Sequence, residues 1–190
     1  MSANLIQVET SQLTGMIKDI ATFLNDHRDR IIEARAQKGG WEGWLQVELA
    51  SFLLRTNGMR YDILREQMIY VGTERVDIWA QPASGQRGIP FLGIELKVES
   101  EYQVGVNKTL QDRLKTDILK CNNGPKVAFK AGQGTHLYAV GITSLEADLA
   151  AYKEIAIATG QLICYCPLIV DRDYGIRNIF LIWWAKEFRQ

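Results

Sequence analysis

The chain lacks the features that mark several protein classes. Three cysteines, an odd number, do not make the disulfide framework of a small secreted domain. A long apolar run such as Ile179–Ala185 is far shorter than the roughly 20 residues that a membrane span needs. The first residues, Met1–Glu9, lack the basic start and long apolar stretch of a signal peptide. These absences predict a soluble, cytoplasmic protein with no membrane partner.

The charge is balanced, with 22 basic and 22 acidic residues and a formal net charge of zero. A protein that coats nucleic acid by charge alone would be strongly basic, so any nucleic-acid surface here must be local. A length of 190 residues suits one domain with a sizeable core. We expect a single domain over 1–190, with an N-terminal helical extension at 1–40. A core at 41–142 would carry the site, and a C-terminal helix and strands would fill 143–190.

Apolar periodicity and turn residues predict the order of the elements. Helices are expected at 11–36 (with the polar stretch 25–30 as a candidate break), 41–55, 108–121 and 144–159. Strands are expected at 63–71 and 74–80 around a tight Gly72-Thr73 hairpin, and at 90–99, 136–142, 162–170 and 178–186. This order predicts an α/β fold with a central mixed β-sheet flanked by helices.

Two of these strands carry the residues that say most about function. Successive side chains of a strand point to opposite faces, so Glu95 and Lys97 point together, away from Leu92, Ile94, Leu96 and Val98. Asp77 lies on a neighbouring strand between two apolar residues. Two carboxylates beside a lysine suit a hard divalent cation and a water aimed at a phosphodiester. The alternative is a salt bridge from Lys97 to Asp77 or Glu95 with no metal.

Glu48 on a helix, Asp77 on a strand and Glu95-x-Lys97 on the next strand resemble the motif of the PD-(D/E)XK nuclease superfamily. The resemblance covers about residues 41–120, and Val76 stands where the motif has proline. It implies a restriction-endonuclease-like core (αβββαβ) and Mg²⁺ or Mn²⁺ as the cofactor. It also implies nucleic acid as the substrate and favours DNA, with RNA left open.

The resemblance also implies residue roles. Asp77, Glu95 and the Leu96 backbone carbonyl would hold the metal, Glu48 would complete the metal site, and Lys97 would orient the attacking water. Glu42 is a rival for the helix acid. It lies about one and two-thirds turns before Glu48 and therefore points elsewhere, so Glu48 is preferred.

The helix after the lysine strand has a local basic excess. Contact with phosphates near the site would involve Lys108, Gln111, Arg113, Lys115 and Lys120. Within this set, the resemblance favours Gln111 and Lys115 as side chains that reach the site. The alternative is a solvated helix face with ion pairs four residues apart, such as Lys108–Asp112 and Arg113–Asp117.

These observations predict a magnesium-dependent nuclease, alone or as a homodimer or part of a larger nuclease assembly. The first alternative is a catalytically inactive protein of the same fold that binds protein or nucleic acid. The second is a structural subunit that dimerises through an edge formed by Trp183 and Trp184.

Overall fold

The computed structural model describes residues 5–37, 41–99, 109–126, 134–143, 148–168 and 179–189. The helices in these ranges are α1 (Gly15–Asp26), α2 (Arg28–Arg35), α3 (Glu42–Asn57), α4 (Leu110–Asn123) and α5 (Asp148–Thr159). The strands are β1 (Leu5–Gln7), β2 (Tyr61–Gln67), β3 (Val76–Pro82), β4 (Phe91–Val98), β5 (Thr135–Thr143), β6 (Ile163–Pro167) and β7 (Phe180–Phe188). None of the helices in these ranges is both long and apolar enough to cross a membrane.

The seven strands form one mixed sheet in the order β1-β6-β7-β5-β4-β3-β2. Strand β4 pairs parallel to β5, and β1 pairs parallel to β6. The other neighbours pair antiparallel. The predicted α/β class with a mixed sheet is therefore confirmed. The sheet is larger than the four strands of the expected core, because β1, β6 and β7 extend it beyond β5.

Helices cover both faces of the sheet, and each face has its own apolar core. Apolar side chains of α1 and α3 pack on one face, against alternate residues of β3 and β4. Those of α4 and α5 pack on the other face, against residues of β5 and β7. A β-strand buried on both faces is apolar at nearly every position, so a charged side chain on β4 lies in an unfavourable place.

Close contact between α4 and the sheet is possible because β5 carries a glycine under the helix. A methyl group at Gly141 would lie 3.1 Å from Leu114 Cδ2, which is tighter than a relaxed contact. Gly141 pairs with Lys97 in the parallel ladder between β4 and β5. Leu114 of α4 therefore lies over β5, next to the strand that carries Lys97.

The candidate break in the first helix is confirmed, and two other local features differ from the prediction. The expected 11–36 helix divides at His27 into α1 and α2, at the polar stretch proposed as a break. Strand β1 was not predicted, since three residues give no recognisable alternation. Strand β2 ends at Gln67, so the connection to β3 is longer than a tight hairpin. The chain leaves the ladder there because Ile69 and Tyr70 are buried in the core under α4.

The expected dimer edge at the two tryptophans is also wrong for the described sheet. Strand β7 lies between β5 and β6, so it is an interior strand. Trp184 is buried and donates from Nε1 to Gln161 Oε1 at 2.9 Å. Trp183 packs against the core on the other face. Both side chains are thus used in packing within one chain.

Candidate active site

Strands β3 and β4 bring three of the predicted residues, Asp77, Glu95 and Lys97, together on the face under α4. Ile78 pairs with Ile94, so Asp77 and Glu95 are the next residues along the two strands. The Leu96 backbone N–H donates to Asp77 Oδ2 at 2.7 Å, which holds the Asp77 carboxylate of β3 against the backbone of β4. Leu96 itself packs in the opposite core. The alternation expected from the sequence is therefore what positions Glu95 and Lys97.

Lys97 lies at the centre of a cluster of acids. Its Nζ lies 3.2 Å from Glu42 Oε1, 3.5 Å from Asp117 Oδ2 and 3.6 Å from Asp77 Oδ2. It also donates to its neighbour's backbone carbonyl, Leu96 O, at 3.0 Å. Burial alone would lower the pKa of Lys97, but the carboxylates of Asp117, Asp77 and Glu42 outweigh burial and hold that pKa above its ordinary value. Lys97 is therefore a firmly charged ammonium group.

The helix acid beside Lys97 is Glu42, and the preference for Glu48 needs correction. Glu42 begins α3, where the helix N-terminus favours a negative charge. Its carboxylate accepts from Lys97 Nζ and from the Val98 backbone N–H, and Arg113 donates to it at 3.1 Å. Glu48, farther along the helix, accepts from the Arg30 guanidinium at 3.4 Å.

The reason for this difference lies in the position of α3 relative to β4. The N-terminus of α3 reaches the end of β4, where a residue of the first turn can contact both the strand backbone and Lys97. Six residues after Glu42, the buried positions of α3 pack on the core beneath the sheet. Glu48 is therefore half-buried on another side of the helix.

Helix α4 supplies the remaining charged groups. Its start is fixed by a capping box, in which Thr109 Oγ1 accepts from the Asp112 backbone N–H and the Asp112 carboxylate accepts from the Thr109 N–H. Two turns later Asp117 points at Lys97. Lys120 Nζ lies 3.0 Å from Glu95 Oε1. Among the residues that the structure describes, the charged groups of this cluster are the acids Glu42, Asp77, Glu95 and Asp117 and the cations Lys97, Arg113 and Lys120.

The connection between β2 and β3 forms a wall of the site. Tyr70 lies against α4, with its hydroxyl 3.4 Å from Cys121 Sγ and its ring 4.6 Å from Lys120 Nζ. Burial raises the pKa of both Tyr70 and Cys121, so both remain protonated at neutral pH. Tyr70 and Cys121 therefore place uncharged side chains next to the charged residues of the site.

Two of the four acids are poorly stabilised as carboxylates. Burial, together with the nearby Asp77 and Asp117 charges, raises the pKa of Glu95 to about 7, against the opposing effects of Lys120 and the Tyr70 hydroxyl. Burial also raises the pKa of Asp117 to about 6, although Lys97 opposes it. Glu95 is only 2% exposed. The nearby lysines therefore do not fully offset the burial and mutual repulsion of these carboxylates.

The side chains present have the chemistry that a divalent cation requires. Glu95 Oε1 and Asp117 Oδ2 are fully buried and accept no hydrogen bond of regular geometry within the described residues. Carboxylate and carbonyl oxygens are the ligands of Mg²⁺. Within the described ranges, no three His, Cys, Asp or Glu side chains are already placed so that they could hold a metal ion together. Binding would therefore require Glu95, Asp77 or their ammonium partners to move.

The predicted phosphate contacts divide into three kinds. Arg113 and Lys120 face the acidic cluster, since Arg113 donates to Glu42 and to Val98 O and Lys120 contacts Glu95. Lys115 is exposed and Gln111 is half-buried on α4. Lys108 lies outside the described residues. The solvated-face alternative does not hold for Arg113 and Asp117, because both reach the site.

Asp117 and Tyr70 were not predicted as site residues. Asp117 lies three residues after Leu114 and seven after Leu110, so it falls on the buried stripe of α4. A charged residue on an apolar stripe is the signal that could have identified it. Comparisons with protein-family models, with curated proteins and with solved structures gave no match to this chain.

Proposed function

We propose that the protein is a nuclease that depends on Mg²⁺ or Mn²⁺ and hydrolyses phosphodiester bonds, with DNA as its substrate. The observation that carries this proposal is the convergence of Asp77, Glu95 and Lys97 from adjacent strands, with Glu42 at Lys97. Buried acids that are incompletely neutralised are typical of functional sites, because a purely structural core would avoid them.

The arrangement of elements supports a restriction-endonuclease-like core within the larger sheet. Helix α3, the strands β2, β3 and β4, helix α4 and strand β5 follow one another in the order αβββαβ. Strands β2, β3 and β4 pair antiparallel, and α4 returns the chain so that β5 pairs parallel to β4. The predicted acids and the lysine lie on the two central strands of this unit.

In the proposed reaction each of these residues has its own role. Asp77, Glu95 and the Leu96 carbonyl would hold the cation, with Glu42 in place of Glu48 as the helix acid. A bound divalent cation polarises a phosphate oxygen and lowers the pKa of a bound water. Lys97 would orient that water, since its ammonium already lies among the acids. Lys115, exposed on α4, would contact the phosphate backbone beside the site.

A cleavage assay with Asp77→Asn tests this function. The change keeps an oxygen that can accept from the Leu96 N–H but removes the charge. We expect cleavage of single-stranded, duplex or branched DNA in Mn²⁺ or Mg²⁺ to fall by about a hundredfold or more, as on loss of one charge-stabilising group. The matched control is Asp62→Asn, an exposed aspartate on β2. Chelation should abolish wild-type cleavage, and metal-dependent cleavage that survives Asp77→Asn would refute the assignment.

A second function, binding without catalysis, is favoured by one observation. Lys97 is engaged with three carboxylates, so the cluster holds together as an ion-pair network without a metal. The same assay separates the two functions. Retention of DNA in a gel-shift experiment, with no cleavage in any divalent metal, would favour the binding protein.

A further inference from the structure

Lys120 has a role that the nuclease motif does not assign. Its ammonium group contacts three acceptors at once: Glu95 Oε1, the Arg75 backbone carbonyl and the face of the Tyr70 ring. The Lys120 side chain is only 15% exposed. The ammonium group thus donates a hydrogen bond to Arg75 O, pairs with the Glu95 charge and lies over the Tyr70 ring, all within the protein. In this arrangement the Lys120 ammonium group is therefore not available to contact a phosphate.

The contact with Glu95 is the one with functional consequences. Glu95 Oε1 is buried and accepts no regular hydrogen bond, so the charge of Lys120 is its main compensation. Removing the ammonium would leave Glu95 beside Asp77 and Asp117 with a smaller opposing charge. Two cations cannot share one carboxylate oxygen closely without repulsion. A divalent cation on Glu95 Oε1 would thus compete with Lys120 for the same atom.

Building on the proposed nuclease function, we propose that Lys120 is a built-in counter-ion that occupies Glu95 until a divalent cation displaces it. The Tyr70 ring and the Arg75 carbonyl give the ammonium group a place to remain near the site after it leaves Glu95. Lys120 would act as a positioning residue that sets the metal affinity. The metal-free site would stay closed by an ion pair, and loading would open it.

Calorimetric titration of Mn²⁺ into Lys120→Met tests this role directly. Removing the competing charge should tighten Mn²⁺ binding about tenfold relative to wild type. The matched control is Lys153→Met, which removes a lysine from the exposed side of α5 and should leave the affinity unchanged. Equal or weaker binding by folded Lys120→Met would overturn the proposal, because it would mean that Lys120 supports the metal ligand instead of competing with the metal.

A wild-type measurement covers the case in which Lys120→Met does not fold. The Nζ resonance of Lys120, identified by its loss in Lys120→Arg, should shift on Mg²⁺ titration with the midpoint that calorimetry of the wild type gives for Mg²⁺. A resonance that stays unchanged to saturation would overturn the proposal. If metal binds and Asp77-dependent cleavage occurs but neither Lys120 result is seen, only this inference fails. If neither wild type nor Lys120→Met binds metal, the nuclease function fails with it.

Discussion

Replacing Glu95 by glutamine should stabilise the metal-free protein while removing the proposed cleavage activity. Glutamine keeps the shape of the side chain and removes the charge. The pKa of Glu95 is raised from 4.5 to about 7, mainly by burial and next by Asp77 and Asp117. A raised carboxyl pKa means that the folded state prefers the neutral form, in spite of Lys120. A neutral isostere should therefore be favoured at neutral and basic pH.

The magnitude and its pH window follow from proton linkage. At about 1.4 kcal/mol per pH unit, this shift makes ionised Glu95 cost on the order of 3 kcal/mol of stability. Below the unfolded pKa of 4.5 both states carry the proton, so the cost is absent. Between pH 4.5 and about 7 the folded state keeps a proton that the unfolded chain has released, so stability falls as pH rises. Above about pH 7 the full cost applies.

Urea unfolding in the presence of a chelator measures this difference. The free energy of unfolding of Glu95→Gln should exceed that of wild type by on the order of 3 kcal/mol at about pH 8. At about pH 4 the two free energies should differ little. The control is Glu154→Gln, at an exposed position of α5, which should show neither effect. If Glu95→Gln is less stable than wild type at about pH 8, the Lys120 ion pair outweighs burial and Glu95 is a structural residue.

Three further changes probe the rest of the site. Glu42→Gln should weaken Mn²⁺ binding and cleavage far more than Glu48→Gln, because Glu42 contacts Lys97 and Glu48 contacts Arg30; equal effects in calorimetry and cleavage would restore Glu48. Lys97→Met should abolish cleavage and also destabilise the metal-free protein by about 3–5 kcal/mol in urea, as on breaking a buried ion pair. Unchanged stability would mean that solvent screens the cluster. Lys115→Ala should lower the slope of log K for DNA against log salt by about one, and an unchanged slope would place the phosphate path elsewhere.

The fold could be predicted where the pattern is local. The alternation of β4 and the apolar periodicity of α3 and α4 placed these elements within a few residues of their observed bounds. Strand β1 and the path of the chain after Gln67 could not be predicted, because both depend on partners distant in sequence. The parallel pairing of Leu5 with Ile163 and the burial of Tyr70 under α4 exist only in the folded chain.

In the candidate site, too, features set by the local sequence could be predicted, and those set by distant partners could not. Glu95 and Lys97 share one strand, so their common face follows from the backbone alone. The choice between Glu42 and Glu48 depends on where α3 crosses the end of β4, and helical phase alone does not contain that information. Asp117 carried a local signal, its place on a buried stripe, but its partner Lys97 lies on another element.

The cost of Glu95 and the expected effect of metal are of similar size, and this ties the stability of the site to its function. A ligand that binds only the folded state stabilises it by about 2.7 kcal/mol at a hundred times its Kd. That gain nearly offsets the cost on the order of 3 kcal/mol for ionising Glu95. Wild type with Mn²⁺ near that concentration should therefore be about as stable as metal-free Glu95→Gln, and the variant should gain much less from metal. The Lys120 ammonium group does not supply the same compensation, because it already lies against Glu95 and the pKa of Glu95 is still raised to about 7. This excess of buried carboxylate is our reason for proposing a divalent cation as the partner of the site.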